Sequence, residues 1–328
     1  MTAKRRVTIL LSSAGRRVSL LRSLREAAAA AGYDARVIAC DADPTAPALH
    51  VADAAFLAPP CAGADFDDFA VDLAARERVD LVVPTIDPEL PVWSRLRERL
   101  AAVGTTVAVS GPQTVEIAAD KRRTHEHCVR NGIPCPRQAT PSAVLAGRAR
   151  WRLPLIVKPA RGSGSDGVLR VSDWSQLRHV AGVGGLVVEE LVPGVEHTVD
   201  VYLDRRGVAH CPVVRRRLAV RAGEVSKAQV VRDARLESVA VKTVESLPDA
   251  FGVLNVQVFA DGPDVSVIEI NARFGGGYPL TWRAGGRYGQ WLIQEVLDGT
   301  PPPAAPPVED GLLMLRWDEE VFVAGHAS

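Results

Sequence analysis

Residues 1–111 alternate between short apolar runs and longer amphipathic stretches, and this alternation limits the possible folds more than any other feature. The runs RRVTILLS, DARVIAC, DLVVPT and TTVAVSG resemble buried strands, whereas RRVSLLRSLREAAAAAG, FDDFAVDLAARERV and PELPVWSRLRERLAAVG have helical periodicity. Strands that alternate with helices build a parallel sheet covered by helices. We therefore predict a Rossmann-like α/β domain over residues 1–111.

The carboxyl ends of parallel strands share one edge of the sheet, where ligands of such folds bind. This rule places Ser12 to Arg16, Asp41 and Thr85 to Glu89 along one rim, and Glu89 becomes a candidate substrate-binding residue. Loop capping is the more ordinary role of such residues. The first loop, SSAGR, lacks the GxGxxG pattern, which argues against NAD at this rim.

From residue 112 onward the pattern changes. Two helices between Pro112 and Asn131 precede a series of strands joined by turns, with further helices at DARLESVAVKTVESLPDAFG and near Gln290 to Leu297. Strands that follow one another directly predict an antiparallel α+β region. The run TPPPAAPP then predicts a linker to a short tail.

The run VIEINAR places a polar side chain at every second position. Because the side chains of a strand alternate between its two faces, one face carries Glu269, Asn271 and Arg273. The opposite face carries Ile268, Ile270 and Ala272. An antiparallel strand with one wet face shows the same alternation, so this pattern alone does not establish a site.

A predicted hairpin supplies a partner for that polar face. The turn at Asp261 to Asp264 brings Gln257 roughly opposite Glu269, so that the side chains of Gln257, Glu269 and Asn271 converge. Mg²⁺ takes oxygen ligands, typically one or two carboxylates together with substrate phosphates. Arg273 would then offer its planar fork to a phosphoryl or acyl phosphate group.

Glycines and two lysines suggest a place for phosphates. The segment GSGSDG, Gly162 to Gly167, leads into a strand rather than a helix, which predicts a flap whose backbone N–H groups cover phosphates. Lys158 precedes the flap, and Lys121 begins a helix. The chain has five lysines among its 39 basic residues, so each lysine attracts attention. A mobile surface hairpin and an exposed lysine are the plainer alternatives.

Two further segments supply candidate binding residues. The run VVEELVPGVE offers an extended backbone for a purine and carboxylates for a ribose, a signal that many strand ends would also give. Arg221, Lys227 and Arg283 are candidates for binding a carboxylate substrate, because they bracket the polar strand in sequence. In an arginine-rich chain they could equally be solvated surface cations.

Composition narrows the class of partner. Lys+Arg 39 against Asp+Glu 39 gives no net charge, which argues against nucleic acid and anionic membranes as partners. The five cysteines show neither a disulfide framework nor zinc-site spacing, and no apolar run is long enough to span a bilayer. We expect a cytoplasmic protein that acts on small molecules, with a homodimer as the commonest assembly.

These motifs, in this order, resemble the ATP-grasp superfamily, and most of all one synthetase half of the carbamoyl phosphate synthase large subunit. The resemblance implies a two-lobed ATP-grasp domain, with its first lobe and flap at residues 112–187 and its second lobe and metal site at 188–300. Residues 301–328 would then be the Pro-rich linker and tail.

The resemblance also implies roles for particular residues. Nucleotide binding would involve Lys121, Lys158, Gly162, Ser163, Gly164, Ser165, Gly167, Glu189, Glu190, Val192 and Glu196. Within that set the backbones of Glu190 and Val192 would bind adenine, and Glu196 would bind the ribose. Magnesium, with Mn²⁺ as a possible substitute, would be held by Gln257, Glu269 and Asn271. Catalysis would involve Arg273, Lys158 and Arg221.

The implied reaction joins a carboxylate to an amine with ATP through an acyl phosphate. Amino acids are plausible substrates, and the product would then resemble a dipeptide. Two alternatives remain open: carboxyphosphate chemistry on bicarbonate, disfavoured because the chain shows one such unit and no glutaminase segment, and a nucleotide-binding regulatory protein without turnover.

Overall fold

The computed structural model describes residues 5–162, 167–221, 223–304 and 306–323, and the strands of this part form three sheets. The N-terminal sheet contains β1 (Arg5–Ser12), β2 (Tyr33–Asp41), β3 (Ala54–Leu57), β4 (Leu81–Pro84) and β5 (Thr106–Val107). Its strands are parallel and lie in the order β3-β2-β1-β4-β5. Helices α1 (Val18–Ala30), α2 (Phe66–Glu77) and α3 (Leu90–Ala101) connect them. The predicted Rossmann-like domain is confirmed, with β3 as an additional short strand.

A smaller antiparallel sheet follows. Its elements are α4 (Pro112–Ala119), α5 (Lys121–Arg130), β6 (Gln138–Ala139), α6 (Pro141–Ala146), β7 (Leu155–Pro159), β8 (Leu169–Val171), α7 (Trp174–Val180) and β9 (Leu186–Glu190). The strand order is β6-β9-β7-β8. The predicted lobe boundary between residues 187 and 188 cuts through β9, which pairs with β7 along its whole length. The first lobe therefore extends through Glu190.

The largest sheet is antiparallel and completes the second lobe. Its elements are β10 (Val195–Leu203), β11 (Ala209–Arg221), β12 (Glu224–Val230), α8 (Ala234–Glu245), β13 (Gly252–Asp261), β14 (Asp264–Asn271), α9 (Tyr278–Arg283), α10 (Tyr288–Asp298) and β15 (Leu313–Leu315). The strand order is β14-β13-β10-β11-β12-β15. Because β15 pairs with β12, the prediction that residues 301–328 are only a linker and tail is wrong for 313–315.

The N-terminal sheet shares a hydrophobic core with the largest sheet on each of its two faces. On one face Leu21 and Leu24 of α1 belong to a cluster with Tyr288 and Trp291 of α10. On the other face the cluster joins α3 and α4 to strands β10, β13 and β14 and to α8. These shared cores hold the rim of the N-terminal domain beside the polar face of β13 and β14.

Among the described residues, no helix combines the length and apolarity needed to cross a bilayer.

Candidate active site

A cavity of about 240 Å³ lies between the two antiparallel sheets, and we call it the interlobe cavity. Its lining includes residues from α5, β7, the β7–β8 connection, β9, the segment after β9, β10, β13 and β14: Lys121, Ile156, Lys158, Gly162, Val168, Glu189, Glu190, Leu191, Val192, Glu196, Gln257, Phe259, Ile268 and Glu269. The cavity thus gathers both predicted lysines, the start of the glycine segment and two of the three predicted metal ligands.

Lys121 lies at the first position of α5, where Asp120 caps the helix by accepting a hydrogen bond from the Arg122 N–H. The Nζ of Lys121 donates to the carbonyl oxygen of Gly162 at 2.7 Å, which ties the helix to the start of the glycine segment. Burial lowers the pKa of Lys121, and the nearby Glu269 carboxylate opposes that shift. A phosphate placed here would find a partly desolvated ammonium group.

Lys158 on β7 forms a buried ion pair with Glu189 on the adjacent strand β9. The Nζ to Oε2 distance is 2.6 Å, and both side chains are 6% exposed. Gln138 donates to the other oxygen, Oε1, of Glu189 at 2.8 Å. Glu189 therefore holds the lysine in place, and both of its carboxylate oxygens already have partners within the protein.

The glycine segment is only partly described. Gly162 lines the interlobe cavity, and Gly167 has a left-handed φ of 68°, which a residue with a side chain seldom adopts. The predicted nucleotide-binding residues Ser163, Gly164 and Ser165 lie outside the described residues. The antiparallel pairing of β7 with β8 agrees with the predicted strand–loop–strand arrangement.

The lining of the interlobe cavity also includes apolar side chains. Glu190 and Val192, the residues expected to bind adenine through their backbones, line the cavity together with Phe259 and Ile268. The alternation of the sequence predicts that Ile268 lies on the strand face opposite to Glu269. A β-bulge between Gln257 and Val258 shifts the register, so that Ile268 faces this cavity instead.

Glu196, the predicted ribose ligand, reaches the interlobe cavity from β10. Its Oε1 accepts a hydrogen bond from Nη1 of Arg217 on β11 at 2.6 Å. The side chain of Arg217 is 11% exposed and that of Glu196 is 30% exposed, so only the arginine is largely shielded from water. Arg217 was not predicted, although it links the position expected for the ribose to the next cavity.

The predicted metal ligands share one face of the β13–β14 hairpin. Gln257 lies directly opposite Glu269, and the next pair on this face is Asn255 opposite Asn271. Burial raises the pKa of Glu269, and the nearby ammonium group of Lys121 opposes the shift. A carboxylate among amide oxygens fits Mg²⁺ that completes its coordination with phosphate oxygens. The described residues contain no group of three or more His, Cys, Asp or Glu side chains placed to hold a metal.

A second cavity of about 220 Å³, the central cavity, shares Gln257 and Glu269 with the first. It lies between the hairpin and the rim of the N-terminal domain. The Nη2 of Arg273 contacts Oδ2 of Asp87, on that rim, at 2.5 Å. The guanidinium group of Arg273, which was predicted to bind a phosphoryl group, therefore already contacts a carboxylate of the N-terminal domain. Its buried Nε has no hydrogen-bond partner among the described residues.

Arg215 on β11 is the most deeply buried cation of the central cavity. Its Nε and Nη2 donate to the two oxygens of Asp200, each at 2.8 Å, and Asp200 also accepts from the Thr281 hydroxyl. A Cβ on Gly277 would lie 1.9 Å from Nη1 of Arg215, so only glycine fits there. Arg215 and Arg217 were not predicted as site residues. They are two positions apart in the run RRR, and this spacing could have indicated that they share one face of the strand.

None of the four predicted substrate residues lines the interlobe cavity or the central cavity. Arg221, also predicted as catalytic, is exposed, pairs with Asp318, and lines a separate cavity of about 490 Å³. Lys227 is exposed on β12, and Arg283 pairs with Glu26 of α1. Because each was selected by nearness in sequence to the polar strand, none reaches the central cavity in the fold.

Glu89 is also absent from the cavities. It is fully buried, and its carboxylate accepts hydrogen bonds from Ser12, Ser13, Trp93 and the backbone N–H groups of Thr85 and Ile86. Burial raises its pKa, which the hydrogen bonds partly offset. This position supports the interpretation that Glu89 has a loop-capping role. Its hydrogen bonds stabilise the loop that contains Asp87, a residue that lines the central cavity.

Comparison with known families agrees with this arrangement. The model of the PylC-like N-terminal domain matches residues 9–108, and the model of the ATP-grasp domain matches residues 118–277. The second match contains both lysines, the glycine segment and the β13–β14 hairpin. The chain contains an ATP-grasp domain over residues 118–277.

Individual ATP-grasp proteins resemble this chain at low identity. D-alanine–D-alanine ligase of Mycobacterium sp. (strain KMS) is 33% identical over 104 residues, which cover 30% of this chain and 28% of that protein. L-amino acid ligase from Bacillus licheniformis has a TM-score of 0.64 and 21% identity, covering 90% of this chain and 75% of that one.

A third relative was solved with nucleotide. It is the biotin carboxylase domain of Hydrogenobacter thermophilus 2-oxoglutarate carboxylase, in complex with MgADP, ADP and bicarbonate. Its TM-score is 0.74 at 17% identity, with 93% of this chain and 73% of that chain covered. These structural matches establish the ATP-grasp fold. The chain spans only 28% of the length of the Mycobacterium D-alanine–D-alanine ligase that it matches.

Proposed function

We propose that this protein is an ATP-dependent carboxylate–amine ligase that acts through an acyl phosphate, with amino acids as its first candidate substrates. The observation that carries the proposal is that the interlobe and central cavities meet at Gln257 and Glu269. A nucleotide in the first cavity would thus direct its terminal phosphate toward a carboxylate in the second. The fold shared with an L-amino acid ligase supports the choice of substrate.

The interlobe cavity has the parts that a nucleotide needs. Phe259, Ile268 and the segment from Glu190 to Val192 line this cavity and would contact an adenine, and the ammonium groups of Lys121 and Lys158 would contact the phosphates. When bound, Mg²⁺ would neutralise phosphate charge beside Gln257, Glu269 and Asn271, and Mn²⁺ prefers similar oxygen ligands. The residues of this chain align the reactants and offset their charge.

The proposed reaction has two steps. In the first, a carboxylate oxygen of the substrate attacks the γ-phosphorus of ATP, the bond to the bridging oxygen breaks, and ADP leaves. In the second, the amine lone pair attacks the acyl carbon, the carbon–oxygen bond to phosphate breaks, and the amine proton passes to solvent. Cations of the central cavity, such as Arg273, would stabilise the charge that develops on the acyl phosphate.

A phosphate-release and ADP-formation assay tests the proposal. Purified protein with Mg-ATP is screened against pairs of amino acids and small carboxylates, and products are identified by mass spectrometry. We expect ADP formation that requires both substrates and a product joined by an amide bond. Nucleotide binding without turnover for any pair would instead support a regulatory protein.

We further propose that the enzyme acts in the cytoplasm, and we predict a homodimer because that is the commonest assembly.

Bicarbonate requires a separate arm of that screen. The related biotin carboxylase domain was solved with bicarbonate, and the central cavity is large enough for so small an anion. Bicarbonate-dependent ADP formation without an organic carboxylate would favour carboxyphosphate chemistry. We expect bicarbonate alone to give no stimulation.

Replacing Lys121 with alanine should weaken the binding of Mg-ATP. A hydrogen bond between a charged group and phosphate contributes enough that its loss raises Kd on the order of 10- to 100-fold. Isothermal titration calorimetry measures the change. Lys242→Ala is a matched control, because Lys242 also donates to a glycine carbonyl, that of Gly132, at 2.8 Å but lines neither the interlobe nor the central cavity. Equal Kd values for the two variants would contradict the assignment of Lys121.

A further inference from the structure

The N-terminal domain contributes an arginine, Arg17, to the central cavity. This arginine lies at the end of the central cavity that does not border the interlobe cavity. Arg17 immediately precedes α1, and its Nη2 donates to the carbonyl oxygen of Thr85 at 3.2 Å. Burial lowers the pKa of Arg17 to about 10, and the positive charge of Arg273 contributes to that shift. The guanidinium is thus held at the wall of the cavity with limited access to water.

Most other charged groups around this cavity are already paired. Arg273 contacts Asp87, Arg217 contacts Glu196, Arg215 contacts Asp200, and Arg316 contacts Glu224. Arg17 forms no ion pair with any carboxylate of the described residues. Among the described residues, Glu269 is the carboxylate of the central cavity that forms no ion pair, and it lies where this cavity meets the interlobe cavity. Glu224, which pairs with Arg316, and Asp87, which pairs with Arg273, are near enough to oppose the lowering of the Arg17 pKa, but neither forms an ion pair with Arg17. An anion at the Arg17 end would therefore meet a cation that has no carboxylate partner of its own among the described residues.

A second donor lies in the same cavity. Arg215 is 1% exposed, and its Nη1 has no hydrogen-bond partner among the described residues. The bidentate contact with Asp200 fixes the plane of the guanidinium, so Nη1 cannot turn away to find one. A buried donor without a partner is unfavourable unless a ligand or ordered water accepts from it.

Two of three consecutive glycines, Gly275 to Gly277, lie beside these donors. A Cβ on Gly276 would lie 3.4 Å from Nη1 of Arg17, and one on the adjacent Gly277 would meet Nη1 of Arg215. The absence of side chains at both positions leaves the two guanidinium groups beside one stretch of backbone. This end of the central cavity also continues into a larger outer cavity of about 490 Å³, with Arg17, Glu224 and Gly276 in both walls.

The position identifies which substrate would meet this pair. The carboxylate to be phosphorylated must lie near Glu269, where the central cavity meets the interlobe cavity. The amine then has to reach the acyl carbon from the side away from the nucleotide, which is the side of Arg17 and the outer cavity.

We propose that the amine substrate is an amino acid whose own, unreacted carboxylate is bound by Arg17 and by Nη1 of Arg215. This inference rests on the proposed ligase function and assigns a subsite within it. Two guanidinium groups that converge on one carboxylate would orient the amine toward the acyl carbon.

The test compares an amino acid with its primary amide. In the screen described above, the amino acid that acts as the amine is identified from the structure of the product. Its amide, which lacks the negative charge, should show a KM higher by on the order of 10- to 100-fold. Arg17→Gln should raise the KM of the amino acid by a similar factor and leave the KM of the amide nearly unchanged. Arg17→Lys should recover part of the loss, because the charge is kept.

Arg25→Gln is the matched control, since Arg25 lies on α1 and pairs with Asp53 outside all three cavities. It should leave both KM values unchanged. Thermal unfolding of each variant confirms that it is folded. Equal use of the acid and the amide by the wild-type protein would overturn the inference, as would turnover only with amines that lack a carboxylate. Absence of turnover with every carboxylate and amine would instead count against the proposed function itself.

Discussion

We expect Glu269→Gln to lower ATP turnover by at least about 100-fold, and we expect the variant without ligands to be as stable as the wild type or more stable. The loss follows because Glu269 supplies the carboxylate of the paired positions on the β13–β14 face and borders both the nucleotide and the acceptor cavities. Stability is kept because burial raises the pKa of Glu269, which means that the folded protein disfavours its charged form. Glutamine has the same shape without that charge. Steady-state ADP formation and urea unfolding measure the two effects.

The pH dependence of stability gives an independent check on the same residue. Because the pKa of Glu269 is raised on folding, its contribution to the free energy of unfolding is greatest below the pKa of the unfolded chain. That contribution decreases as pH rises through the raised pKa of the folded state. In the absence of Mg²⁺, the wild type should therefore lose stability relative to Glu269→Gln over this range, and saturating Mg-ATP should reverse the difference.

Glu98→Gln provides the control, since Glu98 is exposed on α3, away from the interlobe and central cavities. It should match the wild type in activity and in the pH dependence of unfolding. Wild-type turnover in Glu269→Gln would remove the metal assignment. Strong destabilisation of Glu269→Gln would show that the carboxylate supports the fold rather than the reaction.

The polar face of the β13–β14 hairpin was predictable in outline because its geometry is local. A turn that is visible in the sequence brings Gln257 into the neighbourhood of Glu269. The exact pairing was not predictable: the register counted from the turn puts Gln257 opposite Ile268, and a bulge, which leaves no mark in the hydrophobic pattern, shifts the partner to Glu269. Local patterns therefore predict the face but not every member of it.

The acceptor end was not predictable because it depends on contacts between distant parts of the chain. Arg17 and Asp87 come from the N-terminal domain, and Arg215 comes from β11, which β13 and β10 separate from β14 in the sheet. Nearness in sequence instead selected Lys227 and Arg283, whose side chains the fold directs elsewhere. Only the packing of the N-terminal sheet against the largest sheet brings the cationic groups of the central cavity together.

Asp200→Ala should destabilise the protein by about 3–5 kcal/mol. Asp200 is fully buried and Arg215 is 1% exposed, so the variant leaves a guanidinium charge in the interior without its carboxylate. The Thr281 hydroxyl also loses its acceptor. Urea unfolding at neutral pH measures the change in the free energy of unfolding.

Asp318→Ala is the matched control for that measurement. Asp318 pairs with Arg221 at 2.9 Å, but the two side chains are 78% and 74% exposed, so removal of this carboxylate should cost at most about 1 kcal/mol. Similar values for the two variants would show that the Asp200–Arg215 pair contributes no more than a surface contact.

The double variant Asp200→Leu with Arg215→Met separates the structural role of this pair from its binding role. Apolar side chains of similar volume remove both buried charges together, so much of the stability lost in Asp200→Ala should return. The amino-acid subsite would still lack the Arg215 donor, and the KM of the amine substrate should remain high although the protein is folded. If ligase activity returned together with stability, Arg215 would be a residue of the core alone, and the carboxylate of the amine would have to be bound by Arg17 without it.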